Sequence, residues 1–190
     1  MSDIDIQIQR PMRADARRNY EKLVAAARDV FTELGGSAPL EDVAERAGVG
    51  IGTLYRHFPT RQALLEAVYV GEVETLARAA DDLFGVAPWD ALEQWLRQYA
   101  GFAATKRALT EALLEAGPES DVLLSCRTAF VNAATPLVER AQQAGAIRSD
   151  TDFSDIIRMV GSVSVVPTTD PEQQERMLQI VLDGLRYRGS

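Results

Sequence analysis

The sequence predicts an all-α protein of about nine helices, on the strength of three observations. Apolar residues recur at i, i+3, i+4 and i+7 along almost the whole chain, which is the spacing of amphipathic helices. Glycines and prolines separate these stretches at the points where helices end or begin. Over 190 residues, 46% are hydrophobic and 25% charged, so the chain has a globular composition and enough length for a sizeable core.

The first third is predicted to form one long helix and two short ones. Gly35-Gly36 and Gly48 end the first two helices, and Pro59 ends the third. The predicted bounds are Ala14–Leu34, about Pro39–Ala47 and about Gly50–Phe58. Residues 1–12 alternate isoleucine with polar residues in the manner of a strand, at Ile4, Ile6 and Ile8. Because a lone strand has no partner, we interpret residues 1–12 as a flexible arm, with Met12 as an alternative start.

The rest of the chain is predicted to be helical as well. Thr60 is the expected N-cap of a fourth helix that ends at Phe84, before Gly85. Pro136 falls inside a long later helix and is expected to kink it. The further predicted helices are 88–104, 106–116, 119–144, one capped by Thr151 and one opened by Asp170-Pro171.

Composition excludes several kinds of protein. The single cysteine, Cys126, rules out an intramolecular disulfide, and with the single His57 it cannot form a Cys/His zinc site. We interpret Cys126 as a small buried apolar residue, and we predict neither a metal nor a cofactor. No run of 18 apolar residues and no apolar leader is present, so we expect a soluble cytoplasmic protein.

The net charge of −8 is distributed unevenly along the chain. Residues 10–65 contain nine Lys/Arg and seven Asp/Glu, whereas residues 66–190 contain eleven and nineteen. The C-terminal two thirds are therefore acidic. A surface that binds nucleic acid is expected only in the first third.

Residues 39–58, PLEDVAERAGVGIGTLYRHF, have the features of a helix-turn-helix motif. Ala44 and Ala47 are small enough for two helices to pack closely, and Gly48 can adopt the left-handed conformation that the turn needs. Val49, Leu54 and Phe58 are expected to anchor the second helix to the core. The outward side chains of that helix are predicted to be Ile51, Thr53, Tyr55, Arg56 and His57.

Residues 47–65, AGVGIGTLYRHFPTRQALL, and the chain over about residues 15–70 resemble the TetR (tetracycline-repressor-like) family of transcriptional regulators. The resemblance implies a homodimer that binds double-stranded operator DNA. It also implies a helix-turn-helix domain at residues 13–65 and an effector-binding and dimerisation domain at residues 66–190. Beyond the motif, only the number and lengths of the helices match the family.

The resemblance also implies individual roles. Thr53 corresponds to a base or phosphate contact, Tyr55 and His57 to a phosphate-contacting pair, and Arg61 to the usual lysine at the start of the fourth helix. Two positions depart from the family pattern, because Gly50 and Pro39 replace residues that usually carry a hydroxyl. The predicted DNA-binding residues are Arg17, Arg18, Gly50, Ile51, Gly52, Thr53, Tyr55, Arg56, His57 and Arg61.

Other interpretations of the motif are weaker. The glycines at 48, 50 and 52 resemble a nucleotide-binding loop, but such loops follow a strand and here a charged helix precedes. His57 as a catalytic base would need a serine or cysteine nucleophile, and no context for one is recognisable. An enzyme is therefore not predicted, and a small-molecule carrier would have no use for the cationic motif.

In the C-terminal domain, aromatic and apolar residues at helical spacing are candidates for an effector pocket and a dimer interface. The pocket candidates are Trp95, Tyr99, Phe102, Cys126, Phe130 and Met159. The interface candidates are Ile157, Val160, Met177, Val181 and Leu185. The expected function is a ligand-responsive repressor released by a small apolar or amphipathic effector, with two alternatives: an activator of the same fold, or a small-molecule-binding dimer with no role on DNA.

Overall fold

The computed structural model describes residues 14–116, 121–166 and 170–186. Within these ranges the chain forms eight α-helices, one 3-10 turn at Leu83–Gly85 and no strand, so the all-α prediction is confirmed. None of these helices combines the length and apolar character needed to cross a membrane. They are α1 (Ala14–Leu34), α2 (Leu40–Arg46), α3 (Ile51–His57), α4 (Arg61–Asp82), α5 (Pro88–Ala116), α6 (Asp121–Gln143), α7 (Phe153–Ser164) and α8 (Pro171–Leu185).

One continuous helix, α5, replaces the two helices predicted at 88–104 and 106–116. Thr105 lies at the expected break, but threonine lowers helix stability by only about 0.7 kcal/mol or less relative to alanine. No proline intervenes, and the nearby Gly101 lies within the helix. The described chain therefore has eight α-helices where about nine were expected. The predicted arm at residues 1–12 lies outside the described residues.

The first three helices enclose a common apolar core, in which α1 contacts α2 and α2 contacts α3. The rings of Tyr20 and Phe58 lie 5.1 Å apart between centroids and connect α1 to the end of α3. The fully buried side chains of this core include Leu23, Ala27, Val30, Phe31, Val43 and Leu54. These are apolar positions of the predicted helices, so helical spacing identified this core correctly.

The turn between α2 and α3 has the predicted left-handed glycine. Gly48 has φ +67°, its N–H donates to Glu45 O at 3.0 Å, and Val49 N–H donates to Ala44 O at 3.0 Å. This pattern satisfies the last carbonyls of α2 and turns the chain directly into α3. Any residue with a Cβ would be strained at this φ.

Side-chain caps begin three of the later helices. Thr60 Oγ1 accepts a hydrogen bond from Ala63 N–H at 3.1 Å at the start of α4, as predicted. Asp170 caps α8, with Pro171 in the first helical position. The prediction for α7 was wrong by one residue: Asp152, not Thr151, is the N-cap, and Asp152 and Asp155 form a reciprocal capping box. The carboxylate of Asp155, three residues later, accepts a hydrogen bond from the backbone N–H of Asp152, and this bond favours Asp152 over Thr151 as the N-cap.

We expect Asp152→Ala to lower the free energy of unfolding by about 1 kcal/mol, because the Asp155 N–H would lose its 2.9 Å partner. For a chain of this size the melting temperature should fall by about 2–4 °C, measured by circular dichroism. Thr151→Ala is the matched control, since the Thr151 side chain does not cap α7. An equal loss in the two variants would contradict the assignment.

The described residues group into two compact units. One holds residues 14–73 together with 105–116 and 121–127, and the other holds 74–104 together with 128–166 and 170–186. The first contains the helix-turn-helix. The second contains most of the aromatic residues and the pair of helices α7 and α8, which contact each other.

Candidate functional site

The exposed surface of α3 is a narrow arc. Successive helical residues are rotated by about 100°, so Ile51, Tyr55, Gly52 and Arg56 follow one another around about 140° of the helix. All four are exposed, Ile51 by 37% and Tyr55 by 48%. On the opposite side, Leu54 is fully buried in the first unit. The arc therefore presents one isoleucine, one tyrosine, one arginine and one glycine to solvent.

Thr53 and His57 lie outside this arc, on the side of α3 that faces the core, and both are half-buried. The sequence placed them among the outward residues, and it did not treat Gly52 as central. The helical rotation explains the difference, because burial of Leu54 turns the neighbouring Thr53 and His57 toward the core.

Arg56 is the cation that stands out on this surface, since it forms no hydrogen bond or ion pair with any described residue. By contrast, several arginines of α1 and α2 are held by carboxylates. Arg17 donates to Glu21 at 2.9 Å, Arg18 pairs with Asp15, and Arg46 donates to both oxygens of Glu33 at 2.6 and 2.8 Å. The predicted DNA contacts Arg17 and Arg18 are thus exposed and paired within α1.

The Arg46–Glu33 pair connects α2 to the end of α1, and the hydrogen bond from Arg46 holds the pKa of Glu33 below its usual value. Sequence analysis missed this pair, because two opposite charges 13 residues apart on different helices leave no periodic signal. Its bidentate geometry fixes direction as well as distance. The pair therefore helps to orient α2 on α1.

Arg61 begins α4 and is half-buried. Its Nη1 donates to the carbonyl oxygen of Gly36 at 3.0 Å, between α1 and α2. A guanidinium has five N–H donors, so this bond leaves others available to an external anion. Arg61 thereby anchors the first turn of α4 to the loop that precedes the motif.

The middle of α4 packs closely on α1. A Cβ on Gly71 would lie 3.8 Å from Val24 Cγ1, and Glu72 pairs with Arg28 at 3.6 Å. Burial raises the pKa of Glu72 and outweighs the opposing effect of Arg28. These contacts hold α4 against the helix that supports the motif.

In the second unit, aromatic rings form a cluster that we call the ring cluster: Trp95, Tyr99, Phe102, Phe130 and Phe153. Trp95 stacks on Tyr99 at 5.9 Å between centroids, and Phe130 lies 5.5 Å from each of these two rings. Phe153, which sequence analysis did not assign to a pocket, lies 5.7 Å from Phe130. Its place in the cluster was not predictable from the sequence, because Phe153 is the first residue of α7 and helical spacing alone does not show where that side chain points.

The ring cluster is bonded to α4. The indole Nε1–H of Trp95 donates to the carbonyl oxygen of Leu76 at 2.9 Å, and Trp95 is almost completely buried. Burial raises the pKa of Tyr99 to about 12, so its phenol is neutral at physiological pH. The cluster therefore offers apolar faces, a neutral hydroxyl and a direct hydrogen bond to the helix that continues toward the motif.

Two predicted pocket residues, Cys126 and Met159, are not among these rings. Cys126 is fully buried but belongs to the first unit. Met159 is 42% exposed on α7, where it lines a surface groove with Val181 of α8. This exposure does not fit a place among the buried rings, because Met159 lies on the outer face of α7, whereas Ile156 and Val160 are fully buried.

The groove on α7 and α8 has a volume of about 570 Å³. Its lining includes Ile180, which is 71% exposed, and charged side chains of both signs such as Asp155 and Arg158. Of the predicted interface residues, Ile157, Met177 and Val181 are half-buried. Val160 and Leu185 are already buried within the protomer, so they have almost no exposed surface left for contact with a second protomer.

Comparison with known proteins matches both parts of the chain. The family model described as bacterial regulatory proteins, tetR family, matches residues 23–68, and the model of the SbtR-like transcriptional regulator C-terminal domain matches residues 87–187. The chain is 38% identical to a solved TetR transcriptional regulator from Streptomyces coelicolor, with a TM-score of 0.74, covering 90% of this chain and 99% of that one.

Two other similar proteins extend the comparison. The HTH-type transcriptional regulator UidR of Escherichia coli K12 is 25% identical over 173 residues, which are 86% of this chain and 87% of UidR. A solved gamma-butyrolactone receptor, described as ArpA-like, is 26% identical, with a TM-score of 0.60 and 90% of each chain covered.

Proposed function

Since the chain belongs to the TetR family of bacterial transcriptional regulators and is not an enzyme, we propose that it is a ligand-responsive repressor that binds a pseudo-palindromic operator as a homodimer. The observation that carries the proposal is the exposed arc of α3. A recognition helix must be anchored on one side and free on the other, and here Leu54 is buried while Tyr55 and Arg56 are exposed. In this proposal residues 13–65 bind DNA, and residues 66–190 bind the effector and the second protomer.

The phosphate contacts of the proposed complex come from both sides of α3. Tyr55 offers its hydroxyl on the arc, and the half-buried His57 and Thr53 offer hydrogen-bonding groups outside it. Arg17 and Arg18, at the start of α1, would exchange their exposed carboxylate partners for phosphate. Such exposed pairs contribute little stability, so the exchange costs little.

We place the dimer interface on the outer face of α7 and α8. Ile180 and Met159 leave apolar surface exposed there, beside a groove whose rim carries both signs of charge. An isologous interface presents the same patch twice, so a mixed-charge rim can pair with itself. Two recognition helices related by a two-fold axis then read the two halves of a palindromic site.

The ring cluster is the proposed effector site. A small apolar or amphipathic molecule among Trp95, Tyr99 and Phe130 would separate rings that now contact each other, and the Trp95 bond to Leu76 would pass the displacement to α4. One similar solved structure is a gamma-butyrolactone receptor, which supports a small organic effector for this chain. DNA and effector should then weaken each other by the same factor.

Two alternatives remain to be separated by experiment. A transcriptional activator would use the same arc and dimer and would differ in the effect of binding on transcription. A small-molecule-binding dimer without a role on DNA would keep the ring cluster, but it would have no need for an exposed Arg56 that has no partner among the described residues.

The test is a selection of binding sites from a pool of random duplexes, with wild type and Tyr55→Ala in parallel at two salt concentrations. A palindromic consensus recovered by wild type alone is the expected result. Enrichment of no sequence by wild type would defeat the proposal. The recovered duplex then serves in a transcription assay, in which repression and activation have opposite signs.

Removing the charge of Arg61 should weaken operator binding without changing the preferred sequence. We expect Arg61→Ala to cost about 1 kcal/mol in each half-site and to lower the salt slope by about one for each protomer, because a phosphate contact releases a counterion. Arg78→Ala is the matched control, since Arg78 is an exposed arginine further along α4. An altered consensus at an unchanged slope would show that Arg61 reads bases.

A further inference from the structure

One of the two middle positions of the exposed α3 arc has no side chain. Gly52 lies between Tyr55 and Arg56 around the helix, and a Cβ built on it would meet no atom within 4 Å. Glycine disfavours a helix relative to alanine. No packing among the described residues requires Gly52, so the space above it is available to an external partner.

This gap allows the backbone of α3 to approach a surface closely. The side chains at the two ends of the arc, Ile51 and Arg56, are separated by about 7.5 Å along the helix axis. That distance spans about two base-pair steps of a duplex. The arc thus has the dimensions to set an apolar group and a cation against neighbouring base pairs of one half-site.

The chemistry of the arc limits which bases it can read. It contains no amide and no carboxylate, so adenine and cytosine lack their preferred partners, which are Asn or Gln and Asp or Glu. Arginine binds O6 and N7 of guanine with its fork of donors, and Arg56 has no partner within the described protein. The 37% exposed Ile51 matches the C5-methyl group of thymine.

We propose that Arg56 reads a guanine and Ile51 reads a thymine within about two base pairs of it, with Gly52 as the gap that brings α3 close enough. This inference rests on the proposed function, because it requires the operator complex. It assigns specificity to Arg56 and Ile51 and leaves the phosphate contacts to Tyr55, His57 and the other cations. Each half-site of the operator is accordingly expected to contain an essential guanine and an essential thymine.

The test uses the selected operator with single-atom changes. Replacing the essential guanine by 7-deazaguanine in both half-sites removes the N7 acceptor, and replacing the thymine by uracil removes the methyl group. Wild type should bind the deazaguanine duplex about tenfold or more weakly and the uracil duplex about threefold or more weakly. Arg56→Ala should be insensitive to deazaguanine and Ile51→Ala insensitive to uracil, each within about twofold.

The cross pairs supply the controls: Arg56→Ala should still respond to uracil, and Ile51→Ala to deazaguanine. Both side chains are exposed, so the variants should melt within about 2 °C of wild type. If deazaguanine lowers the affinity of Arg56→Ala by the same factor as it lowers that of wild type, the guanine assignment is overturned. If uracil lowers the affinity of Ile51→Ala by the same factor as it lowers that of wild type, the thymine assignment is overturned. If wild type selects no palindrome at all, the proposed function itself has failed, which distinguishes the two outcomes.

Gly52 is tested by opposite effects on stability and binding. Gly52→Ala should raise the melting temperature and weaken operator binding about tenfold or more, because the added methyl group holds α3 away from the groove. Gly101→Ala is the matched control, since Gly101 is an exposed glycine of α5 with nothing within 4 Å of its missing Cβ. It should raise stability and leave binding unchanged. Full affinity in Gly52→Ala would refute the close approach.

Discussion

A Tyr55→Ala dimer should bind the operator at least about a hundredfold more weakly than wild type, while its helix content stays the same. Each protomer would lose one hydrogen bond to a charged phosphate, worth about 1.5–3 kcal/mol, and the dimer loses two. Because the Tyr55 side chain is 48% exposed, its removal leaves no cavity in the core. The melting temperature should therefore stay within about 2 °C of wild type.

Fluorescence anisotropy on the selected duplex measures this loss, and two further variants interpret it. Tyr55→Phe keeps the ring and removes the hydroxyl. It should therefore retain the apolar contact but show most of the loss in operator affinity that is expected for Tyr55→Ala. Phe84→Ala removes a ring that is 70% exposed in the second unit and should bind like wild type. Tyr55→Ala with wild-type affinity would remove Tyr55 from the interface.

The second large effect is expected from Ile180→Asp, which should raise the dissociation constant of the dimer at least about a hundredfold. The substitution occurs twice in an isologous interface, so two apolar contacts are lost and two charges are desolvated. Ile180 is 71% exposed in the protomer, so the aspartate costs the folded monomer little. Operator binding should weaken as well, since a monomer holds only one half-site.

Sedimentation equilibrium measures the dimer, and circular dichroism checks that the monomer is folded. Phe84→Asp is the matched control, because Phe84 is equally exposed and lies at the turn after α4, away from α7 and α8 in the chain. Val181→Asp is expected to disrupt the dimer too, but Val181 is half-buried and its substitution also strains the protomer. An intact Ile180→Asp dimer would place the interface on another surface.

Periodicity predicted the helices well because amphipathic spacing is a local property. The bounds of α1 are those expected from Gly35-Gly36, and the turn at Gly48 has the expected left-handed backbone. Errors arose where two local signals compete. Thr151 and Asp152 both qualify as caps, and only the reciprocal bond with Asp155 decides between them. At Thr105 a break between two helices was predicted, but the low helix propensity of threonine costs too little free energy to interrupt α5.

For the candidate site, the sequence predicted the position of α3 but not which of its faces is exposed. The rotation of α3 depends on how deeply Leu54 and Phe58 are buried, and that depth is set by packing against α1. The residue pattern of the motif therefore placed Thr53 and His57 among the outward residues and left Gly52 out of them. Ion pairs between helices, such as Arg46–Glu33, are likewise invisible to spacing.

By itself, the sequence determined the helical class, the motif at residues 39–58 and the membership of the TetR family, because each depends on the order and spacing of neighbouring residues. Only the tertiary structure decided which side of α3 is exposed to solvent and that Arg56 is unpaired among the described residues. It also decided that Val160 and Leu185 are buried within the protomer. The physical reason is that exposure and pairing depend on residues distant in the chain, which meet only when the helices pack.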